Sequence, residues 1–424
     1  MKFEVLKKSH LKRNIIIGVV VILIASAVIS TFTRAKYRTT QSIALANGTI
    51  NYSLADLNAV AIYINSDDGY TNTNTIPESG YVLNEEESYC TIDGNRDDNI
   101  SLSYDVATKS LSVSPMTTKG TKCYLYFDEK RITIQDIIAS KTIATRDNFS
   151  TTLTTDTTGT IYQAEDDDGT TYYFAGNVTD NWVRFGGFYW RIIRINGDGT
   201  LRLIYSGISA IVTGTGTQIG TSAFNSSDNN NIYVGFKYES ENTHGTTTNS
   251  TILRSLNAWY SSNLTSYADK IDTNTGFCND RTPSSGTGTG TTKTFYAAYN
   301  RLYINKKPSF KCTNSSDLFT IRSSNKGNKA LQYPIGLITA DEVAYAGGVN
   351  GRSNTSYYLY TGQTYWTMSP RSFDNSGAYM FHAGSGISDT TVNSAYGVRP
   401  VINLKADTQF SSGDGTSSNP YVVS

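Results

Sequence analysis

At 424 residues the chain has room for two or three domains, and its 36 Lys+Arg balance 36 Asp+Glu to a net charge of zero. That balance argues against a nucleic-acid partner, which needs a basic excess or stripe. Charged residues are only 17% while tyrosine occurs 30 times, a β-prone, polar profile that suits an exported protein better than a cytosolic enzyme.

Residues 1–13 carry Lys2, Lys7, Lys8, Lys12 and Arg13 against a single acid, Glu4. An uncharged run from Ile15 to Phe32 follows. At ~1.5 Å rise per residue it reaches roughly 27 Å, close to a bilayer core. Fewer cations follow it (Arg34, Lys36, Arg38), so the positive-inside rule places the N-terminus in the cytoplasm. We expect a cytoplasmic basic tail (1–13), a transmembrane helix or signal-anchor (14–33), a stalk (34–44), and the bulk outside a plasma membrane crossed once. The alternative is a signal peptide with Ile15–Ile24 as its apolar core, cleaved after Ala27. Either way the rest is exported, and the membrane is a partner through the N-terminal segment.

Short β runs recur over 45–130, among them the alternating "SLSYDVATKSLSVS", which reads as a hairpin. A small β-sandwich is expected there. The four cysteines, Cys90, Cys123, Cys278 and Cys312, form no C-x-x-C pair, and only His10, His244 and His382 accompany them, which argues against a zinc site. Outside a membrane disulfides persist. The spacings suggest Cys90–Cys123 and Cys278–Cys312, one in each domain, against the alternative of four separate thiols.

Over 131–170 a connecting helix ("ITIQDIIASKTIA") and a Thr-rich linker are expected, with Glu165–Asp168 as a solvated turn. The last domain is placed at 171–410, with 411–424 as a tail. Its clearest element is "FGGFYWRIIRINGDGTLRLIYSG", two β-branched and aromatic strands around a glycine-bearing turn. "STILRSLNAWYSSNL" puts Ile252, Leu253, Leu256, Trp259, Tyr260 and Leu264 on one helical stripe. Thr339 and Glu342 form a T-x-x-E capping box at the start of another helix, which Gly347 and Gly348 stop. The remainder reads as short strands: "SYYLYT", "YWTMSP", "AYMFHAG" and "AYGVRPVINL". In the last, Pro400 marks a strand entry.

These last segments, in this order, resemble a set of uncharacterised membrane-anchored surface proteins of gut Gram-positive bacteria. They are also similar to the C-type-lectin-like fold of formylglycine-generating enzymes and of variable proteins from diversity-generating retroelements. Residues 36–66 resemble the entry of camelysin- and TasA-like surface-fibre proteins. The fold class implied is α+β: an N-terminal transmembrane helix, a small β-sandwich, then a C-type-lectin-like domain of mixed antiparallel sheets with two or three short helices. The resemblance makes "GVRPVINL" the strand that returns beside the first strand of the domain. It also implies a ligand-facing loop surface at 371–396.

No catalytic constellation is legible. Nothing after Cys312 is a cysteine, His244 and His382 are far apart in sequence, and no G-x-S-x-G turn occurs. No metal or other cofactor is called for. The candidate ligand-binding residues are Phe373, Asp374, Asn375, Tyr379, His382, Asp389, Asn393 and Tyr396, a mixture of aromatic and adaptable polar groups. Trp190, Trp259 and Trp366 are assigned to the core, and Arg399 to a structural bridge. The function expected is a tethered surface module that binds a glycan or a protein. The alternatives are a structural component of the envelope or a surface fibre, and a hydrolase or modifying enzyme.

Overall fold

A computed structural model describes residues 59–66, 69–73, 77, 80–105, 110–114, 121–321 and 326–424. The tail, apolar segment and stalk expected over 1–44 lie outside these residues. Among the described residues no helix is long and apolar enough to cross a membrane. The chain divides into two compact units, Met1–Lys130 and Arg131–Ser424. Both are dominated by strands, and helices are few and short, an α+β architecture.

The first unit holds a sheet in the order Gly69–Thr73, Ala59–Ser66, Thr121–Glu129, Tyr89–Ile92, Asn95–Arg96, with Tyr81–Leu83 also paired to Thr121–Glu129. Its first and last strands run parallel, Ile62 beside Leu125. Along Thr121–Glu129 the side chains alternate, so Cys123, Leu125 and Phe127 are buried while Tyr124 and Tyr126 face outward. The hairpin of Ser101–Asp105 and Ser110–Ser114 packs Leu102, Tyr104, Leu111 and Val113 into the same buried cluster. That makes a second β layer, as in a sandwich. Cys90 and Cys123 are directly opposed across neighbouring strands and joined by a disulfide. On the outer face tyrosines stack in a row, Tyr63 on Tyr126 at 4.6 Å and Tyr89 on Tyr124 at 4.9 Å.

The second unit is organised around the strand Phe188–Ile195, buried from Trp190 onward. It forms the expected hairpin with Leu201–Tyr205, Ile195 opposite Leu201. Within the turn only Gly199 takes the left-handed conformation, at φ +83°. Gly197 serves a different need: a Cβ there would lie 2.4 Å from Asp166 Oδ1. Val401–Leu404 pairs antiparallel with Leu201–Tyr205, so the return strand lies one strand from Phe188–Ile195. Pro400 precedes it, and its carbonyl accepts from Tyr205 N–H at 2.9 Å. Arg399, 1% exposed, donates to the Tyr205 carbonyl at 3.1 and 3.0 Å and to that of Leu359 at 3.3 Å. Its role is to fasten buried backbone.

Residues 131–170 are not a linker. Ile132–Thr133, the Thr133-capped helix Ile134–Ala139, and the strands Thr142–Thr145, Thr160–Asp166 and Gly169–Tyr173 all belong to the second unit. The threonine-rich part, 151–158, is irregular but docked on the unit: Leu153 N–H donates to the Gly347 carbonyl at 3.2 Å and the Thr157 hydroxyl to the Ala175 carbonyl, while Ile161 and Tyr173 of the strands that follow are buried. The Glu165–Asp168 knot is the turn between two of these strands. Asp166 is buried there and paired to Arg194 at 2.6 Å rather than solvated. Nor is 411–424 a tail. Tyr421–Val423 pairs parallel with Trp182–Phe185 and antiparallel with Gln409–Ser412, which in turn pairs with Ile132–Thr133. The unit therefore extends past both expected boundaries.

The other large sheet centres on Tyr365–Asp374, flanked by Gly377–Ala383 and Thr294–Tyr296; Ile387–Thr391 extends it. Most of 371–396, expected as loops, is thus strand. "SYYLYT" is the reverse case, a turn whose Tyr357, Tyr358 and Leu359 are buried without joining a sheet. The helix Ala340–Tyr345 carries its expected Thr339/Glu342 box, and Thr251–Asn263 is capped by Ser250, whose side chain accepts from Leu253 N–H. Trp190 and Trp366 are fully buried, and Trp259 is half-buried against the same core. Cys278 and Cys312 are joined.

Candidate functional site

After the strand Thr294–Tyr296 the chain turns through Ala297–Tyr299 into a π-helical turn, Asn300–Ile304, closed by Asn305 N–H on the Asn300 carbonyl at 2.8 Å. The wider π turn brings residues four apart nearly above one another. Phe295, Tyr299 and Tyr303 therefore lie in a row with centroids 4.5 and 5.0 Å apart; the tyrosines stack within 13° of parallel, and Phe295 leans on Tyr299 at 32°. The ridge ends in solvent, with Tyr303 51% and Ile304 56% exposed. Parallel stacking uses the ring faces on each other and leaves edges and hydroxyls outward.

Cations line this ridge. The Arg371 guanidinium lies 5.7 Å from the Phe295 ring centroid, 5.2 Å from Tyr299 and 5.8 Å from Tyr379. Lys293 Nζ lies 5.7 Å from Phe295, and Lys306 Nζ 5.6 Å from Tyr303. Arg371 also faces Asp389 at 3.5 Å. Burial pushes the Asp389 carboxyl above its usual range; Arg371 opposes this and the neighbouring Asp374 adds to it. Burial, and then the nearby Arg352, pull the Lys306 ammonium down. Lys306 itself sits at φ +52°, the left-handed region that favours glycine.

The eight sequence candidates divide. Tyr379 and Asp389 gather around Arg371, with Asp374 close by. Asn375 is exposed in the turn between Tyr365–Asp374 and Gly377–Ala383. Phe373 is 5% exposed and belongs to the core. His382 lies three residues from Tyr379 along one regular strand and so points to the opposite face. There it meets Tyr396 at 4.9 Å, and Tyr396 in turn meets Trp366 at 5.3 Å. Burial lowers the His382 pKa to about 4, and its Nδ1 is buried without a hydrogen-bond partner. Asn393 donates to Asp228 at 3.0 Å, tying two loops together. One continuous surface of all eight does not exist.

A concavity of about 270 Å³ lies elsewhere and is lined by none of the eight. Its floor is charged but self-satisfied. Glu342 receives Arg202 at 2.6 Å and Arg194 at 3.2 Å, besides the Thr339 N–H of its capping box at 2.8 Å. Burial opposes ionisation of Glu342, but the two arginines and that N–H hold its carboxyl below the usual range. Arg301 grips Asp341 with two donors at 2.8 and 3.0 Å and Asp280 with a third at 2.7 Å. Charges spent on one another in this way fix the helix Ala340–Tyr345 and the loop bearing the Cys278–Cys312 bridge. Among the described residues no group of three His, Cys, Asp or Glu side chains is placed to hold a metal ion.

Sequence reasoning missed Phe295, Tyr299, Tyr303 and Arg371. The signal was present in "TFYAAYNRLYIN": aromatics at i, i+4 and i+8, Phe295, Tyr299 and Tyr303, beside a second set, Tyr296, Ala298 and Leu302, that takes the core. Comparison with protein-family models, curated proteins and solved structures finds no match to any of them.

Proposed function

We propose that the chain is a membrane-tethered module of the cell surface whose second unit, a C-type-lectin-like head, binds a glycan or protein ligand without transforming it. The apolar run Ile15–Phe32 tethers it, and the disulfides suit an oxidising exterior. One observation carries the reading: the Phe295–Tyr299–Tyr303 ridge, a cation-lined row of rings that runs from the half-buried Phe295 and Tyr299 out to Tyr303, 51% exposed. The pairing of Val401–Leu404 with Leu201–Tyr205 of the central hairpin supports the lectin-like reading. The charged cleft supports binding over catalysis, because the ionic groups of its floor, Glu342 with Arg202 and Arg301 with Asp341, are committed to each other.

The full chain in mild detergent, applied to arrays of envelope glycans and surface proteins, is expected to bind saturably, and Tyr303→Ala is expected to abolish most of that signal. Absence of binding together with concentration-dependent filaments would replace this reading with that of a structural fibre component.

A further inference from the structure

Resting on the binding role proposed above, we infer that the Phe295–Tyr299–Tyr303 ridge takes a polyanionic glycan, a sugar polymer bearing carboxylate or phosphodiester groups. Three features of the ridge point that way. Tyr299 and Tyr303 stack face to face and Phe295 leans on Tyr299 at 32°, so what the row mainly offers a ligand is ring edges and two tyrosine hydroxyls. Ring edges carry the positive part of the aromatic quadrupole, and hydroxyls donate; both suit an acceptor-rich partner. A neutral sugar stacking flat would need open ring faces, and these are taken except at the Tyr303 end.

The border agrees. Lys293, Lys306, Arg371 and Arg352 lie on or beside the ridge against two carboxylates, Asp374 and Asp389, a local excess of cations in a chain whose net charge is zero. The stacked tyrosines of the first unit differ. There a single guanidinium, Arg96, lies 4.9 Å from the Tyr89 ring centroid, Asp128 accepts from Tyr70 at 2.6 Å, and burial, with the neighbouring tyrosines and Glu87 adding to it, pushes the Tyr126 hydroxyl up.

Lys306 supplies the third feature. It follows the π turn in a conformation that costs a lysine stability and would cost glycine none. Its side chain is set over the exposed Tyr303 ring at the solvent end of the ridge. A residue kept in a strained backbone position, with its charge delivered to the tip of an exposed aromatic stack, is placed for a ligand rather than for the fold.

The test uses the full chain in mild detergent with three probes: polygalacturonate, dextran and poly-L-glutamate. Polygalacturonate is expected to bind, and to be released as salt approaches about 1 M, where the screening length falls to about 3 Å. Dextran and poly-L-glutamate are expected to bind at least about tenfold more weakly. Lys306→Gly is expected to melt no lower than the parent chain and yet lose up to about fivefold in affinity. Tyr303→Ala is expected to lose about tenfold, while Tyr126→Ala in the first unit changes nothing.

Equal binding of dextran, or of poly-L-glutamate, overturns the inference. So does unchanged affinity in Lys306→Gly. Silence toward polygalacturonate with saturable binding elsewhere on the arrays overturns it and leaves the binding role intact; silence toward every probe and array removes both.

Discussion

Glu342 is the most exposed point of the second unit to a single substitution, and the cost can be worked from its surroundings. Its carboxylate is 3% exposed and sits against two guanidinium groups, Arg202 at 2.6 Å and Arg194 at 3.2 Å. Glu342→Gln preserves size and can still accept the Thr339 N–H, so the capping box survives. What it removes is the counter-charge. Arg194 retains Asp166 at 2.6 Å, whereas Arg202, 1% exposed, keeps only the Gly276 carbonyl and the Asn403 amide oxygen at 3.3 Å each. Stranding one buried charge costs about 3–5 kcal/mol. At ~2–4 °C per kcal/mol for a domain of this order, the second unit should melt about 6–20 °C lower by calorimetry. Adding Arg202→Met on that background should recover part of the loss, since an apolar side chain of similar length needs no counter-charge. A melting point within about 2 °C of the parent for Glu342→Gln alone would refute the view that this ionic cluster holds the unit together.

His382 makes stability depend on acidity. Its folded-state pKa of about 4 lies below the ordinary value of 6.5, so its contribution is complete above about pH 6.5 and is lost as pH falls toward 4. At full weight this shift is worth about 3 kcal/mol, less after solvent screening. The melting-point gap between parent and His382→Gln should narrow across that window; a gap independent of pH would contradict it. Replacing both Cys278 and Cys312 by serine opens a bridge of sequence separation 34, and should cost about 3–4 kcal/mol, read from denaturant midpoints. The unreduced, denatured parent should show no free thiol with a thiol reagent, because all four cysteines are paired. Gly197→Ala should destabilise by about 1–3 kcal/mol, since its Cβ would meet Asp166 Oδ1 at 2.4 Å and Gly169 N at 2.7 Å; a neutral effect would show that this turn yields freely.

Elements whose signal is local were legible. The Phe188–Tyr205 hairpin, the Thr339 cap and both cystine pairings follow from periodicity, capping residues and spacing. Failures came where a residue's role is set by partners far away in the chain. The Thr-rich stretch looks like linker until Leu153 N–H is found on the Gly347 carbonyl and the strands on either side of it, Thr142–Thr145 and Thr160–Asp166, pair with each other. Asp166 looks solvated until Arg194, 28 residues on, reaches it. The site suffered in the same way. Reading 371–396 as one surface ignored that alternate residues of a strand face opposite ways, which separates Tyr379 from His382. The aromatic ridge needed the recognition that Tyr296, Ala298 and Leu302 take the core, which turns the aromatics four apart, Phe295, Tyr299 and Tyr303, toward the other side.

The pairing of Ile132–Thr133 with Gln409–Ser412, and of Gln409–Ser412 with Tyr421–Val423, sets a timetable for the newly made polypeptide. A strand laid down at the start of this unit has no strand partner until the ribosome has reached Gln409 and Phe410. At roughly 5–20 residues per second the wait is on the order of 15–60 seconds. If the chain is threaded through a membrane meanwhile, it crosses with this sheet still open, and the closing stitch is made on the far side.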